Sequence, residues 1–317
     1  MTNHSIALLF PGQGSQSVGM GRDLYDKFPS AKAVFDEADD ALGFAISKLC
    51  FEGPEETLKL TEHTQPAILT VSVAAFRVLA EHGVTAKFAA GHSLGEYSAQ
   101  VAAGTLSFAD AVKAVRLRGR YMQEAVPAGQ GAMAAVLSLD AARISEICAE
   151  VSTETGGVVS AANLNSPDQT VISGSVAAVE AAAAKCKEAG ARKTVMLPVS
   201  APFHCALMRP AQERLATDLE AVTFSDSVIP VAVNVDARLV NHADIARDAL
   251  IRQVTGAVRW VECIQLLIHS GATRFIEVGP GKVLCGLMRQ IDRAQVCANV
   301  EDSASLEKTL AALAQTS

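Results

Sequence analysis

The stretch Phe88-Ala-Ala-Gly-His-Ser-Leu-Gly-Glu-Tyr97 joins a short apolar run, a serine between two glycines, and an alanine-rich helical pattern that continues to Ala103. A strand that turns through Gly-x-Ser-x-Gly into a helix forms a nucleophile elbow. Glycine lacks a Cβ, so Gly91 and Gly95 permit a sharp turn that pushes the Ser93 hydroxyl out at the end of a sheet. The stretch therefore predicts a nucleophilic serine. The alternative is an ordinary tight turn between a strand and a helix.

Two main-chain features near this turn suit an anionic group. The N–H of Leu94 lies at the start of the predicted helix, where the helix dipole is positive and can stabilise an oxyanion. The loop Pro11-Gly-Gln-Gly-Ser-Gln16 follows a predicted strand, Ser5 to Phe10. It departs from a dinucleotide-binding loop because Ser17 stands where the third glycine belongs. An anion or oxyanion site lined by the main chain remains open for this loop.

Composition narrows the class of protein. The chain has 317 residues, half of them hydrophobic, and a formal net charge of −7. An acidic chain argues against bulk electrostatic binding to nucleic acid or to an anionic membrane. We find no run of about 18 apolar residues and no signal peptide, so we expect a cytoplasmic protein. The seven cysteines are scattered without a zinc-binding spacing, which predicts reduced thiols and no metal site.

Apolar strand patterns alternate with amphipathic helical patterns along most of the chain. This order predicts an α/β fold with a mostly parallel sheet flanked by helices, similar to the core of an α/β-hydrolase. From Gly131 to Val199 the pattern reads strand, helix, strand, strand, helix, strand, which is the ferredoxin-like βαββαβ unit. We therefore expect a large catalytic domain from residues 1–130 and 200–317, with a small ferredoxin-like subdomain, 131–199, inserted in it.

One arginine interrupts the apolar face of the predicted helix Phe108 to Ala125. At 100° per residue, Arg118 falls near the middle of the face that carries Val115 and Met122. A buried guanidinium without a partner is costly, so Arg118 should meet an anion. The alternatives are a structural salt bridge to a carboxylate in the core and an arginine that extends to the surface.

A serine nucleophile needs a base, and His204 is the best candidate. It follows Pro202 at the start of a predicted helix, where the positive dipole disfavours imidazolium and keeps the ring neutral. His92 adjoins the serine and fits a role in lining the site better than a role as base. Hydrolases with this elbow carry an acid between the serine and the histidine, and we find no motif around any acid there. A backbone carbonyl could orient the imidazole instead.

The sequence resembles the malonyl-CoA:acyl carrier protein transacylases of bacterial type II fatty acid synthesis over essentially its whole length. The resemblance rests on five motifs, which are Phe10-Pro-Gly-Gln-Gly-Ser-Gln16, Gly91-His-Ser-Leu-Gly-Glu-Tyr97, Arg118-Gly-Arg-Tyr-Met-Gln-Glu-Ala-Val-Pro127, Pro198-Val-Ser-Ala-Pro-Phe-His204 and Glu277-Val-Gly-Pro-Gly281. Five motifs in order, with the insertion in the expected place, make the resemblance specific.

The resemblance implies a role for each candidate residue. Ser93 is acylated, His204 is its base, and Gln253 orients His204 through its main-chain carbonyl. Arg118 binds the free malonyl carboxylate. The remaining implied roles are the oxyanion hole, formed by the N–H groups of Gln13 and Leu94, and the substrate pocket, lined by His92, Met122 and Phe203, where Phe203 favours an unbranched acyl group.

The implied reaction is a ping-pong transfer without a cofactor from malonyl-CoA to the phosphopantetheine thiol of acyl carrier protein. We expect a monomer. The carrier is acidic in this family, so docking needs a local basic patch. The candidates are Lys185, Lys187, Arg192, Lys193 and Arg289. The alternatives are a serine esterase or thioesterase, a non-catalytic scaffold of the same fold, and a related acyltransferase that serves polyketide synthesis or uses another extender.

Overall fold

The predicted strands assemble into two separate sheets in the computed structural model, which describes residues 5–199 and 201–315. The first four residues, which entered the location prediction, and Ser200 of the histidine motif lie outside the described residues. The strands are β1 (Ile6–Phe10), β2 (Phe88–Gly91), β3 (Gly131–Leu137), β4 (Val159–Ser166), β5 (Gln169–Ser175), β6 (Lys193–Met196), β7 (Val231–Val233), β8 (Arg238–Val240), β9 (Arg274–Val278) and β10 (Cys297–Val300).

Helices flank both sheets. In chain order they are α1 (Arg22–Lys27), α2 (Pro29–Leu42), α3 (Ile46–Glu52), α4 (Glu55–Leu58), α5 (Thr61–Glu81), α6 (Gly95–Ala102), α7 (Phe108–Glu124), α8 (Ala141–Thr155), α9 (Val176–Glu188), α10 (Arg209–Glu220), α11 (Ala243–Gln253), α12 (Trp260–His269), α13 (Val283–Ile291) and α14 (Ser303–Ala314). Within the described residues, none of them is long and apolar enough to cross a bilayer.

The larger sheet has the order β10-β9-β1-β2-β7-β8, and only β8 runs antiparallel to its neighbour. Every residue of β1 is buried. Leu8 and Phe10 join the core that contains α5 and α7, whereas Ala7 and Leu9 join the core that contains α12 and α13. A parallel sheet buried on both faces produces continuous apolar strands of this kind. The predicted α/β fold class is confirmed.

The smaller sheet is antiparallel, with the order β4-β5-β3-β6, and its elements follow one another as β3-α8-β4-β5-α9-β6. Ala134 and Val136 of β3 pack in the core that α8 and α9 cover. Met133 and Ala135, on the opposite face, join the main core of the protein. The division into domains at residues 130 and 200 stays a prediction, although every strand of this sheet lies within 131–196.

Main-chain hydrogen bonds link β4 to the segment before α12. The N–H of Leu164 donates to the carbonyl of Val258 at 2.9 Å, and the N–H of Val258 donates to Ala162 at 2.8 Å. The smaller sheet is thereby fixed beside the carboxyl edge of the larger one, where it forms one wall of the site described below.

Several element boundaries differ from those that the sequence predicts. The helical pattern of the sequence predicts a single helix from Asp23 to Ala41, whereas the structure has two helices that meet at Pro29, because proline has no N–H and disfavours helical geometry in the residue before it. Helix α5, expected to begin at Pro66, begins at Thr61. The strand expected from Val228 to Val235 contains only the three residues of β7, and the antiparallel strand β8 was not predicted.

The prediction that all the cysteines are reduced thiols is wrong for two of them. Cys285 and Cys297 form a disulfide between α13 and β10. The other five cysteines are free and buried. Sequence spacing did not indicate this pair, because α13 and β10 meet only through the packing of the sheet edge.

Candidate active site

The elbow around Ser93 has the geometry that its glycines predict. Strand β2 ends at Gly91, helix α6 begins at Gly95, and Ser93 between them has a φ of 51°, which non-glycine residues seldom adopt. A Cβ on Gly91 would lie 1.9 Å from the main chain of Gly95, and a Cβ on Gly95 would lie 2.0 Å from the carbonyl oxygen of Phe10. Only glycine fits either position, so the strand, the turn and the helix meet as closely as an exposed nucleophile requires.

Asn234, just beyond the carboxyl end of β7, holds the elbow in place. Its side-chain oxygen accepts the N–H of Ser93 at 2.8 Å, and its side-chain nitrogen donates to the carbonyl of Gly91 at 2.8 Å. In an open parallel sheet, ligands bind beyond the carboxyl ends of the strands. The strands β1, β2 and β7 end together here, so residues far apart in sequence converge on Ser93.

His204 is placed as a base for Ser93. The Nε2 atom of His204 lies 2.7 Å from Oγ of Ser93. On the other side of the ring, Nδ1 lies 2.9 Å from the carbonyl oxygen of Gln253 and 3.1 Å from that of Gly256. A carbonyl can only accept, so Nδ1 carries the proton and Nε2 presents its lone pair to the serine. The implied contact with Gln253 is present in the structure, and Gly256 is a second acceptor that the sequence did not suggest.

The imidazole of His204 is held neutral for a different reason from the one that the sequence suggests. Burial, together with the positive charge of Arg118, lowers the pKa of His204 to about 3, although the hydrogen bond to the carbonyl of Gln253 acts in the opposite direction. His204 lies in a loop with a φ of 59°; a 3₁₀ turn, Ala206–Met208, follows it, and the α-helix α10 begins only at Arg209. The prediction that His204 starts a helix is therefore wrong, and burial replaces the helix dipole as the main cause of its low pKa.

Arg118 is buried beside the nucleophile, with 1% of its surface exposed. Its Nη1 donates to the side-chain oxygen of Gln65 at 2.7 Å, and its Nη2 donates to the side-chain oxygen of Gln253 at 3.0 Å and to Oγ of Ser93 at 3.1 Å. All three acceptors are neutral. Within residues 5–199 and 201–315, Arg118 forms no ion pair with a carboxylate, and its Nε has no hydrogen-bond partner.

The alternative of a structural salt bridge in the core is therefore not the reason for the burial of Arg118. The guanidinium lies over the ring of Tyr97, with 5.7 Å between its central carbon and the ring centroid. Burial lowers the pKa of Arg118 despite the opposing influence of Tyr97 and Glu96. An unpaired N–H and neutral acceptors leave this cation able to bind an anionic ligand beside Ser93.

A cavity of about 660 Å³ opens over these groups. The sequence-predicted site residues that line it are Gln13, His92, Ser93, Leu94, Arg118, Met122, Phe203 and His204. Gln253 is fully buried behind them. Met133 and Val171 of the smaller sheet form part of the opposite wall. The cavity therefore lies between the two sheets, with the serine on one side of it.

The side chains expected to form the acyl pocket are fixed by their neighbours. The Nε2 atom of His92 lies 2.7 Å from the side-chain oxygen of Asn165 on β4, and burial lowers the pKa of His92. The side-chain nitrogen of Gln65 lies 3.9 Å from the sulfur of Met122. The main chain of Gln13 follows β1, and Leu94 precedes the first residue of α6. The oxyanion role of Gln13 and Leu94 stays a prediction.

The candidate basic patch is divided between two parts of the surface. Lys185 and Lys187 lie in the last turn of α9, and Arg289 lies in the last turn of α13. Lys185 is paired with Glu154 at 2.7 Å, so part of its charge is already compensated. Lys187, Arg192, Lys193 and Arg289 are exposed. Their role in docking stays a prediction.

Sequence reasoning missed three polar residues at the centre of the site. Asn234 holds the elbow, Gln65 holds Arg118, and Glu96 accepts the N–H of Asn234 at 2.9 Å and the side-chain nitrogen of Gln253 at 2.8 Å. Glu96 lies in the first turn of α6, and its Oε2 binds groups outside that helix. The signal available for Glu96 and Gln65 was a polar residue within an apolar helical pattern, as for Arg118.

The chain resembles known proteins over nearly its whole length. The family described as acyl transferase domain matches residues 7–308. The malonyl CoA-acyl carrier protein transacylase of Bacillus subtilis (strain 168) is 49% identical over 308 residues, or 97% of each chain. The crystal structure of an acyl carrier protein S-malonyltransferase from Vibrio cholerae O1 biovar eltor is 47% identical, with a TM-score of 0.94 over 96% of this chain and 99% of that one.

A third relative was solved with its partner. This malonyl-transacylase, in complex with a type II PKS acyl-carrier protein, is 46% identical and has a TM-score of 0.94, over 97% of this chain and 99% of that one. Sequence and structure therefore agree, and the chain belongs to the acyl transferase domain family and, within it, to the malonyl CoA-acyl carrier protein transacylases.

Proposed function

We propose that this protein is an acyltransferase that moves the malonyl group of malonyl-CoA to the phosphopantetheine thiol of acyl carrier protein. The observation that carries the proposal is the buried guanidinium of Arg118, which lies 3.1 Å from Oγ of Ser93 and, among the described residues, binds only neutral acceptors. A malonyl thioester has a free carboxylate, which would give this cation an anionic partner. A bidentate pair would orient the thioester carbonyl toward the serine.

In the first half-reaction, Oγ of Ser93 attacks the thioester carbonyl while Nε2 of His204 accepts the hydroxyl proton. The N–H groups of Gln13 and Leu94 stabilise the resulting oxyanion. The intermediate collapses when its bond to sulfur breaks, and His204 returns the proton to the departing CoA. Malonyl is then held as an ester on Ser93. The 2.7 Å contact between Ser93 and His204 supports this assignment.

In the second half-reaction, the phosphopantetheine thiol gives its proton to His204 and attacks the ester carbonyl. The bond between carbon and Oγ breaks, and the proton returns to Ser93. The neutral imidazole, with its Nδ1 proton directed at two carbonyls, suits both proton transfers. Arg118 keeps the malonyl carboxylate in place throughout.

The pathway follows from the relatives. Supply of malonyl units for fatty acid synthesis is the proposed role, supported by the many relatives named malonyl CoA-acyl carrier protein transacylase. Supply for polyketide synthesis is the second candidate, favoured by the relative that was solved with a type II PKS carrier. Comparing transfer rates to carriers of the two kinds tests the choice.

We also propose a cytoplasmic location and docking of the carrier at the basic patch. The resemblance to bacterial type II enzymes supports the location, and cell fractionation tests it. For docking, Lys187→Glu and Arg289→Glu should each raise the KM for the carrier and leave acylation by malonyl-CoA unchanged. An unchanged KM in both variants would remove α9 and α13 from the docking surface.

The decisive experiment is intact-protein mass spectrometry after brief incubation with a panel of acyl-CoAs. Malonyl should add to the wild-type protein on the peptide that contains Ser93, and Ser93→Ala should remain unmodified. Without a carrier, CoA release should stop after about one equivalent, because the ester waits for a thiol. Continuous release without the carrier would identify a thioesterase. A malonyl group on a cysteine would contradict the proposed nucleophile.

A further inference from the structure

The side chain of Gln253 links the nucleophile, the buried cation and a buried carboxyl group. Its oxygen accepts from Nη2 of Arg118 at 3.0 Å, and its nitrogen donates to Oε2 of Glu96 at 2.8 Å and to the carbonyl oxygen of Ser93 at 3.0 Å. Gln253 and Glu96 are both fully buried. This side-chain network is separate from the main-chain contact between Gln253 and His204.

An amide can point in two directions, and here its neighbours choose one. Oε2 of Glu96 and the carbonyl of Ser93 are acceptors, so the nitrogen of the Gln253 amide must face them. Its oxygen then faces Arg118. In the reversed orientation, the NH₂ group would meet the guanidinium, and the amide oxygen would face Oε2 of Glu96 and the carbonyl of Ser93, which would both lose this donor. Glu96 is the nearest of the acceptors that determine which end of the amide Arg118 meets, at 2.8 Å, with the carbonyl of Ser93 at 3.0 Å and Oδ1 of Asn234 at 3.3 Å.

Glu96 is itself fixed. Oε2 also accepts the main-chain N–H of Asn234 at 2.9 Å, and Asn234 holds the elbow. Burial raises the pKa of Glu96 to about 7, against the lowering influence of these two hydrogen bonds. Because both donors approach Oε2, a proton on this carboxyl group belongs on Oε1, which has no hydrogen-bond partner among the described residues. Oε2 accepts in either protonation state.

We infer that Glu96 acts through the side chain of Gln253 as a positioning residue that aims the Arg118 guanidinium at the acyl carboxylate and so determines selectivity for malonyl. The inference rests on the proposed function. It explains how a carboxyl group can help to position Arg118 without forming an ion pair with it. If Glu96 bound Arg118 directly, it would compete with the substrate for the same N–H groups, whereas the intervening amide leaves Nε without a hydrogen-bond partner among the described residues.

The test compares self-acylation by malonyl-CoA and by acetyl-CoA in four variants. In Gln253→Met, Nη2 of Arg118 loses its acceptor, and in Glu96→Leu that acceptor loses the nearest hydrogen bond that fixes its orientation, so the KM for malonyl-CoA should rise about tenfold or more in both. The KM for acetyl-CoA should change far less, so the malonyl-to-acetyl ratio of kcat/KM falls. Glu96→Gln keeps an acceptor oxygen and should restore the ratio to within about threefold of wild type.

Glu277→Gln is the matched control, because Glu277 is an equally buried glutamate whose oxygens accept from the main chain of Leu284 and Cys285. It should leave the ratio unchanged even if thermal melting shows a loss of stability. Folded Glu96→Leu or Gln253→Met with an unchanged ratio would overturn the inference, as would Glu96→Gln behaving like Glu96→Leu. Absence of malonyl transfer in the wild type would instead overturn the proposed function.

Discussion

Two arginines near Gln253 have opposite surroundings. Arg252 makes a two-pronged pair with Asp236, at 2.8 and 2.7 Å, and a further bond to Asp248 at 2.7 Å. Arg118 is far more deeply buried and meets only amide and hydroxyl oxygens. The same fold therefore supplies carboxylates to a half-exposed arginine and withholds them from a buried one. The difference teaches that Arg118 is arranged for a ligand, whereas Arg252 is arranged for the fold.

The pKa directions agree with this difference. The hydrogen bond to Asp236 raises the pKa of Arg252, whereas burial lowers the pKa of Arg118. Burying a cation without a counter-ion is unfavourable, and hydrogen bonds from neutral groups offset only part of that penalty. A carboxylate ligand offsets the remaining penalty. Arg118 should therefore bind an anionic ligand more strongly than Arg252, whose charge is already paired.

Removing each arginine in turn is the strongest way to break the comparison. Arg118→Ala should lower kcat/KM for malonyl-CoA about a hundredfold or more, because charged hydrogen bonds to the substrate are lost at a buried site. Transfer of acetyl should fall far less. Arg252→Ala is the control and should leave the malonyl-to-acetyl ratio within about twofold of wild type. Equal malonyl-to-acetyl ratios of kcat/KM in the two folded variants would show that Arg118 does not recognise the malonyl carboxylate.

Giving Arg118 a carboxylate would make it resemble Arg252. Gln65→Glu places an acid at the position that now accepts Nη1 at 2.7 Å. This internal anion would compensate the guanidinium and repel the malonyl group, so the KM for malonyl-CoA should rise about tenfold. Gln65→Met removes the bond without adding charge and should have a smaller effect. An equal KM in Gln65→Glu and wild type would argue against electrostatic recognition.

The charge of Arg118 should also be visible in the pH dependence of acylation. A base must be neutral, and the pKa of His204 in the free enzyme is about 3. The plateau of kcat/KM for malonyl-CoA should therefore extend below about pH 5, where an ordinary histidine is protonated. Once malonyl compensates Arg118, the pKa of His204 rises, so kcat should begin to fall at a higher pH than kcat/KM does.

Rapid-quench measurement of CoA release across this pH range gives both profiles. Glu96, whose pKa burial raises to about 7, titrates in the same range, and Glu96→Gln separates its contribution. An acid limb of kcat/KM near pH 6.5, the usual value for histidine, that persists in Glu96→Gln would contradict the low pKa of His204.

Breaking the pair at Arg252 should have the smallest effect. Both partners are partly exposed, with 36% of the Arg252 side chain and 25% of the Asp236 side chain accessible. Exposed ion pairs stabilise proteins by less than about 1 kcal/mol. Asp236→Asn should therefore reduce the free energy of unfolding by no more than that, measured by denaturant titration, with malonyl transfer unchanged. A loss of several kcal/mol would mean that this pair also supports the site.

Local sequence patterns predicted the features that depend on residues close together in the chain. The glycines on either side of Ser93 indicated the elbow, and the helical period indicated that Arg118 is buried. Patterns of this kind depend on a few consecutive residues, and the order of strands and helices likewise indicated the fold class. The roles of His204 and Gln253 came from the resemblance to a family.

The remaining features depend on contacts between distant segments. Asn234 follows a three-residue strand and reaches Ser93 only because β7 lies beside β2. Gly256 contributes its main-chain carbonyl, and a residue's type does not indicate a role for its main chain. The low pKa of His204 comes first from burial, which the sequence around it does not reveal. Such features follow from the assembled sheet and not from any local motif.

The order of the large sheet has a consequence for folding. Strand β1 lies at the middle of the sheet, and one of its partners is β9, with Ile6 opposite Arg274. Most of the chain is synthesised after β1 and before β9. The main-chain groups of β1 that pair with β9 therefore stay unpaired until β9 has been made. Contacts so distant in sequence slow folding and prolong the exposure of aggregation-prone edges. Assistance from chaperones should matter most before β9 has joined the sheet.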